Sequence, residues 1–370
     1  MTEPAPVALR AEVDLGAVRH NLGVLADRAG GPGGVMAVVK ADAYGHGAVP
    51  VARLMEGEGV GWLAVATVPE AEGLRRAGIE ARILVLAAPL PAYLPAYERL
   101  GLDAVVSSPE VAEAVIETSI PVHVKVDTGM HRLGLAPDRA AETVRRLTEA
   151  GVEVAALWTH LATADAADPS FALLQVRRFD GVLRDLGDDA PPLVHVANGP
   201  AHVRLPALTS RRSLARLGGV LYGLDSDPAM APATAGLRPA MRLVARVVHL
   251  QTVAPGESVS YGQTWTAERP TRVATLPVGY ADGLPRALSN AGEVGIGGAR
   301  YPVVGRVCMD MTMVSLGDEA AAPDVAVGDE AVVFGPGGPS AEAAARAAGT
   351  ISYELTTGLT ARVRKVWAAG

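Results

Sequence analysis

Apolar positions in the first two thirds of the chain come in short blocks separated by longer stretches with helical spacing. The blocks "VMAVVK", "WLAVAT", "RILVLAA", "DAVVS", "VHVKVD", "VAALWTH", "LVHVAN" and "SLAR" read as strands. They end near Lys40, Thr67, Ala88, Ser107, Asp127, His160, Asn198 and Arg216. Between most of them lie helix candidates, several with proline in the first turn: "PEAEGLRRAG", "PEVAEAVIET", "PDRAAETVRRLTEAG" and "PSFALLQVRRFDGVLRDLG". Eight strand signals with intervening helices predict an N-terminal (β/α)8 barrel of the TIM type rather than an open sheet. "SLAR" is the shortest of the eight signals.

From about Met241 the rhythm changes. "MRLVARVVHLQTV", "TRVATLPVGYADG", "RYPVVGRVCMDMTMVSL" and "DEAVVFG" are strand-like runs punctuated by Gly and Pro, interrupted by one helix candidate, "SAEAAARAAG". The expected division is a barrel over residues 1–237 and a mostly β domain over 238–370, the opening residues being free to pack on the second domain.

With 33 Lys+Arg against 40 Asp+Glu the net charge is −7 and no basic block is present, which argues against a nucleic-acid or anionic-membrane partner. No apolar run approaches a membrane span, and the start "MTEPAPVALRAEVD" lacks the basic and apolar regions of a secretory signal. Cys308 is the single cysteine, so an internal disulfide and a cysteine-pair zinc site are both excluded. The reading is a soluble cytoplasmic protein.

Barrel enzymes carry their chemistry at the carboxyl ends of the strands. There the chain places Lys40, then "VDTGMHRLG" with Arg132, "WTH" with His160, "ANGPAH" with Asn198 and Gly199, and "RLGGVLYG" with Arg216, Gly218 and Gly219. Taken singly each has a plain reading: Lys40 a salt-bridged cation at a sheet rim, Arg132 a surface cation, His160 a hydrogen-bonded structural histidine. Their shared rim is what points to a site. The glycines after the seventh and eighth strands suit either tight turns or an anion seat lined by backbone N–H groups. An anion seat opposite an amine whose pKa burial can lower suggests pyridoxal 5′-phosphate (PLP), which needs both.

"AVVKADAYGHG" with Lys40 and Tyr44 resembles the cofactor-attachment motif of the alanine racemases. "VKVDTGMHRLG", "WTHLATAD", "VSYGQTW", "LPVGYADG", "GRVCMDM" and "SYEL…ARVRKVW" resemble further segments of that family, in the same order and over nearly the whole chain.

The resemblance implies a PLP barrel followed by a β domain, assembled as a head-to-tail homodimer that interconverts L- and D-alanine, supplying D-alanine for peptidoglycan. It implies that Lys40 holds the cofactor covalently, and that Tyr44, Tyr353, Asn198, Gly199, Gly218 and Gly219 surround its phosphate. Arg216, oriented by His160, would face the ring nitrogen, and Arg132 the ring hydroxyl oxygen and the substrate carboxylate. Tyr261 would be the second catalytic base. Tyr280 and Met309 would wall the substrate from the partner chain. Lys125 falls where some members carry a carbamylated lysine. Two positions depart from the family pattern: Gly199 where many members have serine, and Gly219 where a branched residue is common. A broader amino-acid racemase, a related barrel-type decarboxylase and a non-enzymatic PLP carrier are the alternatives. Tyr261 and the whole second domain argue against the carrier, which needs no second base.

Overall fold

The computed structural model describes residues 8–205, 208, 213–318 and 324–368. It divides into two compact units: Val18–Gly223 with Asp227–Arg238, and Met1–Ala17 with Leu224–Ser226 and Pro239–Gly370. Strand β1 (Leu9–Asp14) belongs to the second unit although it opens the chain.

The first unit is a parallel eight-stranded barrel of β2 (Val35–Val38), β3 (Trp62–Val65), β4 (Arg82–Val85), β5 (Leu102–Val106), β6 (Val122–Lys125), β7 (Val154–Trp158), β8 (Leu193–His195) and β9 (Ala215–Leu217). Each predicted barrel block overlaps one of these strands, six of them enclosing it whole. The barrel closes by pairing β9 with β2, Val35 facing Ala215 and Ala37 facing Leu217. On its other side β9 meets β8 only through bridges, with Leu214 N–H donating to Val194 O at 3.1 Å and Arg216 N–H to Ala197 O at 3.0 Å. This short strand explains the brevity of its sequence signal.

Several helices start as their first residues dictate. Ser108 caps the helix Pro109–Val115 through Val111 N–H, and Thr67 with Glu70 forms a capping box on Val68–Arg76. The interior is filled by Met36, Val38, Ala64, Leu84, Val105, Trp158 and Leu214, supplied by alternate positions of facing strands.

In the second unit β1 runs antiparallel to β10 (Met241–Arg246) and parallel to the last strand in the chain, Arg364–Ala368. The predicted run "MRLVARVVHLQTV" breaks into two strands, β10 and β11 (His249–Val253), which enter different sheets. β11 joins β12 (Thr271–Leu276) and the strand Thr312–Asp318 in a three-stranded sheet. "GRVCMDM" is a loop rather than strand, because Gly305 has φ +74° and packs against the carbonyl of Val259.

Leu84 is fully buried in the barrel core while Leu90 is 60% exposed. Leu84→Ala is expected to cost about 2–5 kcal/mol and Leu90→Ala less than about 0.5. Urea titration followed by circular dichroism checks both.

Candidate active site

The carboxyl end of β2 delivers Lys40 into an unusual turn. Ala41, Asp42, Ala43 and Tyr44 all have φ between +50° and +55°, a full turn of left-handed helix. L-residues pay roughly 1–2 kcal/mol each for that conformation, so the surroundings must enforce it. Glu70 does so from the neighbouring helix: its carboxylate accepts from Ala41 N–H at 2.7 Å, and from Ala66 and Thr67 at 2.8 and 2.9 Å. Asp42 closes the far side, accepting from Ala48 N–H at 2.7 Å. Glycines 45 and 47, with φ +85° and +97°, carry the chain into the next helix. Burial, and then the charge of Arg132, lowers the pKa of the Lys40 amine.

The same turn presents Tyr44, its ring 5.5 Å from that of Tyr222, which is itself anchored to Val38 O at 2.9 Å. Burial pushes the Tyr44 hydroxyl up to about 12, so it stays a neutral donor. A Cβ on Gly218 would stand 2.5 Å from the Tyr44 hydroxyl. Glycine there lets the hydroxyl lie against the turn opening the 3-10 helix Gly219–Tyr222, whose first N–H groups lack intrahelical acceptors. Asn198 caps the helix that begins at Gly199, accepting from Ala201 N–H at 3.1 Å and donating to Leu161 O at 3.1 Å. A Cβ on Gly199 would meet the Val220 methyl at 2.8 Å, which accounts for the departure at this position: a valine occupies the room.

Arg216 is buried, 3% exposed, with acceptors around its guanidinium. One Nη donates to His195 Nδ1 at 2.9 Å and His195 O at 2.5 Å; the other donates to Thr159 O at 2.8 Å and Val196 O at 3.2 Å. Burial, then Arg132, lowers it to about 9. His160 is a weaker neighbour than expected. Its Nδ1 is 3.4 Å from Arg216 and its Nε2 3.4 Å from the Asn198 amide nitrogen. Both neighbours are donors and a neutral imidazole has one lone pair, so only one contact is a hydrogen bond. The main orienting histidine is His195, which the sequence reading passed over. Lys125 is buried on β6, its amine 4.9 Å from the Trp158 ring and lowered to about 8 by burial, then by Arg132 and Arg216. Arg132 is exposed, and it acts on Lys40, Lys125, Arg216 and Tyr44 alike.

Tyr261, Tyr280 and Met309 lie together in the second unit. Ser260, beside Tyr261, donates to Arg306 O at 2.7 Å and lies 3.4 Å from Cys308 Sγ. Tyr280 N–H donates to Cys308 O and Ala281 N–H to Met309 O, both at 3.0 Å. Arg362 ties the loop down through Asp282 at 3.1 Å and Asp310 at 2.8 Å. Tyr261 is 72% exposed, Met309 52% and Tyr280 43%. Tyr353 lies in the short helix Ser352–Thr357 of this unit.

The barrel mouth fits pyridoxal phosphate. It offers an aldehyde-reactive amine of lowered pKa, a neutral tyrosine hydroxyl beside the free N–H groups that open the 3-10 helix at Gly219 as an anion seat, and a buried donor-only guanidinium. Such a mouth on such a barrel defines the class of PLP-dependent barrel enzymes. The family description "Alanine racemase, N-terminal domain" matches residues 13–226 and "Alanine racemase, C-terminal domain" matches 240–367. An alanine racemase of Deinococcus radiodurans is 44% identical, over 96% of this chain and 97% of that protein. One of Chlorobaculum tepidum is 40% identical, over 98% and 96% respectively. The solved alanine racemase of D-cycloserine-producing Streptomyces lavendulae superposes with a TM-score of 0.90 at 38% identity, covering 99% of this chain and 98% of that one. The chain belongs to the alanine racemase family: it is a PLP-dependent racemase of alanine.

Gly218→Ala is expected to displace the Tyr44 hydroxyl and weaken PLP binding about tenfold or more, the scale of one lost hydrogen bond to a charged group. Titration of the cofactor-free protein with PLP, followed by absorbance, measures it.

Proposed function

We propose that Lys40 and Tyr261 are the two bases of the racemisation and that they act from different chains of a homodimer. When bound, PLP supplies the electron sink that acidifies the substrate α C–H. Two groups on opposite faces of that carbon can remove and return the proton without either having to swing across. The lowered pKa of Lys40 leaves more of its amine neutral near neutral pH, able to take a proton at Nζ from the D enantiomer. Tyr261 serves the L enantiomer from the other face.

Arg216 carries the choice of reaction. A carboxylate facing the ring nitrogen would keep it protonated and the sink strong, as decarboxylation and transamination require. The Arg216 guanidinium only donates, so it keeps the nitrogen unprotonated and restrains those side reactions.

In this reading Tyr44, Tyr353, Asn198 and glycines 199, 218 and 219 hold the phosphate, with His160 beside the ring. Arg132 receives the ring oxygen and the substrate carboxylate. A carbamate on Lys125 would place a negative charge near Arg132. The exposure of Tyr261, Tyr280 and Met309 supports their burial by a second copy, where Tyr280 and Met309 would restrict the substrate to a small side chain. Residues 1–237 are then the cofactor-binding half and 238–370 the half that supplies the second base. Among the described residues no helix is long and apolar enough to cross a membrane. We place the enzyme in the cytoplasm, making D-alanine for peptidoglycan.

Borohydride treatment of the holoenzyme followed by peptide mapping is expected to leave the pyridoxyl label on Lys40. A label on Lys125 or Lys365 overturns the assignment.

Lys40→Ala and Tyr261→Phe proteins should each be nearly inactive. Co-expressed in equal amounts and mixing at random, they should recover about a quarter of native sites, because each mixed dimer keeps one intact pair. Confirmed mixed dimers without activity would mean that both bases come from one chain.

A further inference from the structure

Behind Arg216 a line of buried polar side chains crosses the barrel interior. His195 on β8, His123 on β6 and Asp103 on β5 are 0%, 0% and 2% exposed. His195 Nε2 lies 2.8 Å from His123 Nδ1, and His123 Nε2 lies 3.1 Å from Asp103 Oδ2. The same Asp103 oxygen accepts from Arg82 Nη2 at 2.7 Å.

The proton positions along this line follow from its two ends. Arg216 can only donate, so the 2.9 Å contact requires a lone pair on His195 Nδ1. A neutral His195 then carries its proton on Nε2 and donates to His123 Nδ1. His123 in turn carries its proton on Nε2 and donates to the Asp103 carboxylate. Either histidine in the other tautomer would set two donors, or two lone pairs, against each other. Burial disfavours a charge on both rings, and Arg216 disfavours it further. Aromatic packing holds the rings in place. Trp158 stacks on His195 with planes 16° apart, and Trp62 meets His123 edge-on at 73°.

The geometry points to Asp103, His123 and His195 as a directional relay of positioning residues that locks the His195 tautomer and so aims the Arg216 guanidinium at the cofactor ring. Asp103 is the one acidic residue among the described buried side chains of the barrel, so the relay also links the buried cation to a counter-charge it does not touch. This rests on the reading that Arg216 faces the ring. Three side chains thus act without touching substrate or cofactor.

The direct test is nitrogen-15 NMR of the histidine rings in cofactor-free and PLP-loaded protein. His123 and His195 are both expected with protonated Nε2 and bare Nδ1. A protonated Nδ1 on His195 overturns the relay, and this holds whether or not any variant folds. His123→Leu removes the acceptor for His195. The His195 Nε2–H is then buried without an acceptor while Arg216 still holds the Nδ1 lone pair. The His195 Nε2 signals are therefore expected to move with the tautomer kept, and kcat to fall about tenfold or more with little change in KM, the scale on which outer hydrogen-bond partners act. His123→Gln can accept from His195 through its oxygen and donate to Asp103 through its amide, so it should restore the His195 Nε2 signals and most of kcat. If His123→Leu folds and leaves the His195 signals unchanged, or if His123→Gln behaves like His123→Leu, the relay is refuted. Because the ring signals are read without turnover, a failure of the racemisation reading would show separately, as correct tautomers in a protein that does not racemise alanine.

Discussion

A cation buried without a carboxylate beside it is the constraint on which the barrel's architecture turns. Removing a charge from water costs several kcal/mol even after relaxation, so Arg216 demands acceptors on every side. The barrel meets that demand with backbone carbonyls freed at the strand ends, Thr159 after β7 and His195 and Val196 at the end of β8, and with the lone pair of His195. β9 is three residues long and touches β8 only through bridges. The carbonyls of Thr159 and Val196 lie just past the ends of their strands, while that of His195 accepts from Thr159 N–H at 3.4 Å as well as from Arg216. Trp158 lies under the guanidinium at 4.9 Å and also faces Lys125, fixing the depth of two cations at once.

The second constraint is local. Four consecutive L-residues in left-handed conformation hold Lys40 and Tyr44 on one short turn, so the amine and the tyrosine ring have a set separation, the lysine nitrogen 6.0 Å from the ring centre. The strain is offset by Glu70 from the neighbouring helix and by the side chain of Asp42 within the turn itself. Glu70 also raises the Lys40 pKa against burial and Arg132, so the brace of the turn is one of the groups that tune the amine.

The eight barrel strands were legible because parallel strands buried on both faces are mainly apolar runs, broken only by single polar residues such as Asp103 in β5 and His123 in β6. Strand β1 went unread. Its alternation of buried and half-exposed positions becomes meaningful only when a partner sheet from the far end of the chain covers one face. The rim residues Lys40, Arg132 and Asn198 could be picked out because each follows a strand, and Arg216 because it ends the last apolar block of the barrel. His123 and His195 sit inside strands, where an isolated histidine in a run of valines looks like a structural residue. Glu70 looks like an ordinary capping-box acid, and it is one, with a third backbone N–H added by the fold.

The order and spacing of strand, turn and helix residues, acting over a few positions, are properties of the chain itself. They determined the barrel, the change to β structure near residue 240 and the family. What lay beyond them were contacts between residues 20 to 177 positions apart: Asp103 with His123, His123 with His195, Arg82 with Glu153, His202 with Leu25. Which histidine holds the arginine, and which proton sits on which nitrogen, was decided only when barrel closure brought β5, β6, β8 and β9 within hydrogen-bond reach. The physical reason is range: helix and strand periodicity is written in neighbouring residues, while a hydrogen bond is decided by tenths of an ångström between side chains that only the folded barrel brings together.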